Sequence, residues 1–114
     1  MLDKMGYPDS GLLLIKKAAR SRKTKIWGDV LNRLEDGNEI NIDHLSRVTK
    51  KNDVVVVPGK VLGGGMIDHP VIIGAKMFSQ SAQKKITNAR GKCMTLENLI
   101  AKYPDGKGLR LLVG

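Results

Sequence analysis

The sequence predicts an α/β fold, and three observations support this prediction. The run Val54-Val55-Val56-Val57 is apolar at successive positions, which is typical of a strand buried on both faces. Segments with apolar residues at helical spacing lie on both sides of this run, and short apolar strands separate the later helices. The resulting order is helix, helix, strands, helix, strand, helix and strand, which is the pattern of an α/β domain.

Two helices are predicted before the central strand. Ser10 is positioned to cap a helix that runs to about Arg22. A second helix is predicted to open at Thr24 or Lys25, because apolar residues then follow at helical spacing, and Gly37 suits the left-handed stop that ends it. The single domain of residues 1–114 is accordingly divided into an irregular arm at 1–9, a helical extension at 10–36 and an α/β core at 40–114.

The central strand leads into the most distinctive segment of the chain. Pro58-Gly59 is predicted to form a sharp turn, because proline sets φ at the second turn position and glycine accepts a positive φ at the third. Lys60 and the run Gly63-Gly64-Gly65 are then expected to lie in a loop. A loop this bare exposes its backbone N–H groups and lets another backbone, such as one rich in phosphate, come close.

The remaining elements are predicted from apolar spacing and capping residues. Ser79 is expected to cap a helix with Lys84, Lys85 and Arg90 directed outward, and Thr95 is expected to cap the next helix. The other predicted elements are a short extended piece with one or two helical turns at 41–49, and strands at 71–75, 92–94 and 109–113.

The composition indicates a basic single domain with a polyanionic partner. The chain has 114 residues and carries 20 lysines and arginines against 11 acidic residues, which gives a formal net charge of +9. One tryptophan, two tyrosines and one phenylalanine are too few to build a base-stacking platform for single strands. A membrane surface is disfavoured, because no helix of useful length combines a large apolar face with a cationic rim.

Cysteine usage and apolar runs indicate the compartment. Cys93 is the only cysteine, which excludes an internal disulfide and favours a reducing environment. The longest apolar run near the N-terminus, Leu12 to Ile15, is too short for a signal-peptide core of about 7–15 residues. We therefore expect the protein to stay in the cytoplasm.

A dense basic cluster lies where the two N-terminal helices meet. Its members, with no acidic residue among them, are Lys16, Lys17, Arg20, Arg22, Lys23 and Lys25. Such a cluster is either a solvated face of a basic protein or a phosphate-binding surface that gains affinity from counterion release. The net charge, together with the family resemblance given below, favours phosphate contact, and because the second half of the chain is also basic, the binding surface is expected to be broad.

Three interpretations of the Gly63–Gly65 run remain open. A mononucleotide site is disfavoured, because neither Gly-x4-Gly-Lys-Ser/Thr nor Gly-x-Gly-x-x-Gly is present. A flexible hairpin end is the structural alternative. A loop placed against RNA, with Lys60 and His69 as nearby donors, is favoured over both.

The residues that could carry metal or acid–base chemistry do not form a recognisable motif. His44, His69 and Cys93 lack the spacing of metal ligands, so no metal or other cofactor is expected. Asp68-His69 suggests acid–base chemistry, but adjacent loop residues rarely face one another and no nucleophile motif accompanies them, so an enzyme is not expected. Trp27 lies on the apolar stripe of its helix and is interpreted as a core residue.

The central segment and five shorter segments carry a family resemblance. The motifs are the run from Val54 to Gly63 (VVVVPGKVLG), Asp68-His69, Phe78-Ser79, Ala82 and Ile86, with further matches at Ile26–Val30, Arg33–Glu35, Ile40–Ile42, Arg47–Thr49 and Gly106–Arg110. Together they resemble large-subunit ribosomal protein L-eighteen-e of archaea and eukaryotes, a relative of bacterial protein L-fifteen. The resemblance covers almost the whole chain.

The resemblance implies both a fold and a function. The implied fold is an irregular superhelix of β-β-α turns with an N-terminal helical extension. The implied function is that of a structural constituent of the large ribosomal subunit, which binds folded 23S ribosomal RNA and neighbouring ribosomal proteins and has no cofactor, membrane or small-molecule substrate. The residues expected to contact rRNA are Lys16, Lys17, Arg20, Arg22, Lys23, Lys25, Lys60, Gly63, Gly64, Gly65, His69 and Arg90. The alternatives are a generic basic DNA-associated protein and a small nucleotide-using enzyme.

Three features depart from the family pattern. Only Glu35-Asp36-Gly37-Asn38 stands where the family has a longer arginine-rich loop, and Gly28 stands where it has an arginine. RNA contacts made by those parts of relatives are therefore not expected here. The chain also ends at Gly114 without the basic tail of eukaryotic members, which favours an archaeal source.

Overall fold

The structure is a computed structural model that describes the backbone of residues 9–20 and 25–113, with side chains from residue 13 onward in these ranges. The helices of this part of the chain are α1 (Asp9–Ala19), α2 (Ile26–Arg33), α3 (Ile42–Val48), α4 (Gln80–Asn88) and α5 (Leu96–Lys102). The strands are β1 (Glu39–Asn41), β2 (Val54–Leu62), β3 (Ile72–Phe78), β4 (Lys92–Thr95) and β5 (Leu109–Leu111). The predicted α/β class is confirmed.

The described strands form one sheet in which every pair is parallel. The sheet has five strands in the order β1-β2-β3-β4, and β5 also pairs with β2. One edge of β2 pairs with β3 along most of its length. Its other edge is divided, because β5 pairs with Val54–Val56 and β1 pairs with Lys60–Leu62. The long valine-rich strand is therefore the centre of the sheet, as its apolar sequence predicts.

Pro58 and Gly59 lie inside β2, so the predicted sharp turn is wrong. The strand continues to Leu62, and its register with β3 shifts between Val57 and Lys60, which marks a bulge. Proline is tolerated at a bulge because no ladder hydrogen bond needs its missing N–H. Gly59 is required by packing, since a Cβ at this position would overlap the backbone carbonyl oxygen of Asn38. Lys60 consequently belongs to the strand and not to the loop after it.

Side-chain alternation along β2 builds a core on each face of the sheet. One core joins the sheet to α3 and α4, and its members include Val55, Val57, Val61, Ile42, Leu45, Ala82 and Ile86. The other core joins the sheet to α1, α2 and α5, and its members include Val56, Ile15, Trp27, Val30, Leu96 and Leu99. The molecule thus has three layers, with α3 and α4 on one face of the sheet and α1, α2 and α5 on the other.

The predicted caps of the last two helices are confirmed, whereas two predicted end signals of the first two helices are not. The hydroxyl of Ser79 accepts a hydrogen bond from the N–H of Ala82 at 3.1 Å, and that of Thr95 accepts one from the N–H of Asn98 at 3.1 Å, so both helix caps are confirmed. Gly37 has a φ of +68°, but it lies three residues beyond the C-cap of α2 at Leu34, so the prediction that it ends this helix is wrong. The predicted cap at Ser10 is wrong, because α1 already includes Asp9. The rest of the predicted arm, residues 1–8, lies outside the described residues.

Trp27 is a core residue, which confirms its interpretation from sequence. Its side chain is fully buried in the core that α2 shares with α1 and α5. The indole Nε1–H donates a hydrogen bond to the carbonyl oxygen of Tyr103 at 3.0 Å, so the polar atom of the ring is satisfied within the protein. A buried ring in this position cannot stack on a base.

Candidate nucleic-acid interface

The parallel topology gathers three connections at one edge of the sheet. β1 ends at Asn41, β2 at Leu62 and β3 at Phe78, so the residues that follow these strands lie together at the carboxyl edge. Ligand sites of open α/β sheets lie at this edge. The Gly63–Gly65 run begins there, directly after β2.

The Gly63–Gly65 run is held in place from two sides by its own chain. On one side, the N–H of Gly64 donates to Asn41 Oδ1 at 3.0 Å, and the carbonyl of Gly64 accepts from the N–H of Asp43 at 3.1 Å. On the other side, Lys85 Nζ donates to the carbonyl oxygens of Gly63 and Gly65 at 2.8 Å each. The run is therefore an ordered loop, and the hairpin-end interpretation is wrong because β2 and β3 are parallel.

Each glycine of this loop lies against a close intramolecular neighbour. A Cβ on Gly63 would overlap the Ser81 side chain, and one on Gly64 would lie 2.5 Å from Asn41 Oδ1. Gly65 has a φ of +86° and packs against the side chain of Asp43. The glycines thus allow the protein to pack on itself, while Gly64 and Gly65 keep an exposed outer side that a partner can reach.

His69 uses both ring nitrogens inside the protein. Nδ1 lies 2.8 Å from Asp68 Oδ1, and Nε2 lies 2.8 Å from Thr49 Oγ1. Thr49 in turn donates to the carbonyl oxygen of Leu45 at 2.6 Å. The expectation that Asp68 and His69 do not face one another is therefore wrong. This hydrogen bond lowers the pKa of Asp68 below its ordinary value, and the chain of contacts ties the β2–β3 connection to α3.

The N-terminal basic cluster lies on the other face of the sheet from α3 and α4. Lys16, Lys17 and Arg20 are exposed at the C-terminal end of α1, and Lys25 is exposed just before α2. Both helices pack on the face that carries Val56. The two other members of the cluster, Arg22 and Lys23, lie outside the described residues. The structure therefore does not bring this cluster together with the glycine loop.

The last two predicted contacts lie apart from each other. Lys60 is half-buried in β2 and borders a small cavity of about 160 Å³ together with Asn38 and Lys76. Arg90 is exposed immediately beyond α4, with a φ of +68°, and the next N–H, of Gly91, closes the helix on the Ile86 carbonyl at 2.9 Å. The described members of the predicted set are thus distributed over both faces of the molecule.

The outer face of α4 is a polar surface that the sequence reasoning did not single out. Its exposed side chains are Gln80, Ser81, Gln83, Lys84, Thr87 and Asn88. Of the lysine pair expected to point outward, only Lys84 does so, because Lys85 is half-buried against the glycine loop. The signal in the sequence is the absence of any acidic residue between Asp68 and Glu97.

The part of the chain that the structure describes gives little support for a metal site, a reactive thiol or a membrane-spanning helix. No group of three or more His, Cys, Asp or Glu side chains there could hold a metal ion. Burial raises the pKa of the Cys93 thiol to about 11, which disfavours the reactive thiolate. None of the described helices is long and apolar enough to cross a membrane.

Comparison with known proteins identifies the family. Residues 16–94 match a family model described as ribosomal proteins 50S-L15, 50S-L18e and the 60S protein L-twenty-seven-A. The chain belongs to this ribosomal protein family. The resemblance seen in the sequence is thereby confirmed. As a member of this family, the chain is a constituent of the large subunit of the cytoplasmic ribosome. The family is a class of structural proteins and not of enzymes.

Individual relatives match over nearly the same length. The chain is 43% identical over 105 residues to large ribosomal subunit protein eL18 of Methanoregula boonei, which covers 89% of this chain and 87% of the relative. It is 43% identical over 102 residues to eL18 of Methanosphaerula palustris, covering 86% and 84%. Identity to eL18 of Archaeoglobus fulgidus is 39% over 105 residues, covering 89% of each chain. These relatives are archaeal.

Proposed function

We propose that this ribosomal protein binds and stabilises folded 23S rRNA within the large subunit, next to other ribosomal proteins. The observation that supports this proposal most directly is the presence of exposed basic side chains on both sides of one sheet. Lys16, Lys17 and Arg20 project from the α1 side, and Lys84 projects from the α4 side. A protein of this shape fits between two RNA segments and reduces the repulsion between their phosphates.

Recognition of RNA by the side chains on the two sides of the sheet depends mainly on the shape of the RNA. Lysine and arginine side chains contact phosphates without reading base sequence, whereas hydroxyl and amide groups bind 2′-hydroxyls. The described part of the chain is packed around two buried cores, so the helices that carry its basic side chains have fixed relative positions. A set arrangement of charges selects folded RNA whose phosphates have the matching spacing.

The test is a pair of binding titrations with the full chain. One uses folded 23S rRNA and the other uses duplex DNA of similar mass, each at several salt concentrations, because every phosphate contact contributes roughly 0.7 to 0.9 to the log–log salt slope. We expect rRNA to bind at least about a hundredfold more tightly, with the preference retained at high salt. Equal affinities that decline together with salt would contradict the proposal and favour the generic DNA-associated protein.

A further inference from the structure

We propose that the outer face of α4, continuous with the Gly63–Gly65 loop, is a surface on which this protein docks the phosphates and 2′-hydroxyls of folded RNA. This inference rests on the proposed function and assigns a particular part of the molecule to it. The surface, called here the α4 face, comprises the exposed residues Gln80, Ser81, Gln83, Lys84, Thr87 and Asn88 and the exposed side of Gly64 and Gly65.

The α4 face has the chemistry of an RNA contact surface. The exposed side chains of the helix are amides, hydroxyls and one ammonium group, and the helix contains no acidic residue. Amide and hydroxyl groups donate to phosphate oxygens and exchange hydrogen bonds with 2′-hydroxyls, while the ammonium group pairs with phosphate. The apolar residues Ala82 and Ile86 point into the core, so they are not available to an apolar partner.

The helix and the glycine loop form one rigid surface because Lys85 joins them. Its ammonium group donates to the carbonyl oxygens of Gly63 and Gly65 at 2.8 Å each, so it is engaged in holding the loop. The side chain of Ser81 packs directly against Gly63. A surface that is ordered before binding loses less conformational entropy on binding, which increases affinity.

The shape of the α4 face also suits a polyanionic ridge. An open groove of about 480 Å³ runs along the helix and is lined by Gln80, Gln83, Lys84, Thr87 and Asn88. A second open groove, of about 330 Å³, separates the helix from the β2–β3 connection. The carboxylate of Asp68 lines the second groove, whereas the first has no acid in its lining, so we assign phosphate contact to the first.

Two lysines provide a matched comparison for testing this assignment. Lys84 is exposed on α4, and Lys51 is exposed in the turn between α3 and β2, at the amino edge of the sheet and outside the lining of the α4 groove. Lys84→Ala and Lys51→Ala remove the same charge from exposed positions, so both variants are expected to fold normally, which circular dichroism checks. A third variant, Gln83→Ala with Asn88→Ala, removes two amides from the groove without changing charge.

The readout is affinity for folded 23S rRNA as a function of salt. We expect Lys84→Ala to weaken binding several-fold at low salt and to reduce the log–log slope by about 0.7 to 0.9, which corresponds to one lost phosphate contact. The amide variant is expected to weaken binding several-fold with no change of slope. Lys51→Ala is expected to change neither quantity.

Two outcomes separate this inference from the proposed function. If the unmodified chain prefers rRNA over DNA but Lys84→Ala has no larger effect than Lys51→Ala, the α4 face is not the docking surface and remains available to a neighbouring protein. The inference is then overturned while the proposed function stands. If the unmodified chain has no preference for rRNA, the proposed function itself fails before any variant is compared.

Discussion

At the scale of single residues, the environment decides what each glycine contributes. Gly28 lies in α2, and a Cβ added to it would meet no atom within 4 Å. Gly59 lies in the bulge of β2, where a Cβ would overlap the backbone of Asn38. Gly28 only weakens α2, since glycine is a poor helix former. Gly59, in contrast, allows β2 to pack closely against the backbone of Asn38.

This contrast predicts opposite effects of the same substitution. Gly28→Ala should raise the free energy of unfolding by about 0.5 to 1 kcal/mol, because alanine restricts the unfolded chain and favours the helix. Gly59→Ala should lower it by about 1 to 3 kcal/mol, because the Asn38 backbone must move. Urea unfolding followed by circular dichroism measures both values. An unchanged midpoint for Gly59→Ala would show that the bulge accommodates a methyl group.

A second prediction concerns the acid sensitivity contributed by Asp53. The backbone N–H of Lys50 donates to its carboxylate at 2.8 Å, and Arg110 lies 3.4 Å from the same oxygen. These contacts lower the pKa of Asp53 below 3.8, with the Lys50 hydrogen bond as the main cause. The folded state therefore binds fewer protons than the unfolded state as Asp53 titrates. The contribution of Asp53 to the free energy of unfolding is present above pH 3.8 and is lost as the pH falls through the lowered pKa.

Asp53→Asn should remove this pH dependence. Between about pH 5 and pH 2, the stability of the variant should decline less steeply than that of the unmodified chain. The measurement is urea unfolding at several pH values, with Asp105→Asn as the control because Asp105 is exposed. Parallel pH profiles for the unmodified chain and Asp53→Asn would contradict the prediction.

At the scale of elements, the β2–β3 connection shows how parallel strands are joined without a helix. Residues 63–71 run from the carboxyl end of β2 to the start of β3. An extended segment of nine residues reaches about 30 Å, which exceeds the roughly 23 Å length of the seven-residue strand β3. Ile67 is buried against the sheet, and the hydrogen bonds of His69 and Lys85 anchor the segment to α3 and α4.

The anchoring role of Lys85 predicts a local change in dynamics. Lys85→Met should increase the rate of backbone hydrogen exchange at residues 63–67 by about 5- to 10-fold, since two hydrogen bonds from a charged donor are lost at a partly exposed site. Lys84→Met, the neighbouring exposed lysine, should leave those rates unchanged. Hydrogen exchange followed by mass spectrometry measures both variants. Equal rates in the two variants would mean that Lys85 does not hold the loop.

At the scale of the whole molecule, the three layers separate the basic side chains into two independent surfaces. Lys17 lies on the layer of α1, α2 and α5, and Lys84 lies on the layer of α3 and α4, with the sheet between them. Each surface can therefore face a different segment of RNA. If the basic side chains formed a single patch, the other face of the molecule would have no basic side chains with which to contact RNA.

This arrangement predicts additive effects on RNA binding. The losses of binding free energy caused by Lys17→Ala and by Lys84→Ala should add in the double variant to within about 0.5 kcal/mol, because the two sites share no contact. A double-mutant cycle with folded 23S rRNA measures the sum. A coupling energy above about 1 kcal/mol would indicate that both lysines contact one continuous RNA surface.

Local signals predicted most of the elements but only part of the candidate site. The caps at Ser79 and Thr95 were predictable because each acts on a backbone N–H three residues further along the chain. The role of Lys85 was not predictable, because its hydrogen-bond partners lie 20 and 22 residues away along the chain. The position of Lys85 in a helical pattern does not indicate whether its side chain faces solvent or a loop of the same protein.

The sequence by itself determined the α/β class, the buried valine strand and, through its motifs, the ribosomal family, because these depend on local apolar patterns and on runs of residue types. Only the tertiary structure decided that Pro58-Gly59 is a bulge and not a turn, since that depends on the pairing of β2 with β3, whose register shifts there, and on the Asn38 carbonyl that accepts a hydrogen bond from the N–H of Lys60. It also decided that the basic residues lie on two faces. The physical reason is that a side chain's direction is set by which face of the sheet its element covers, and that packing joins residues far apart in the chain.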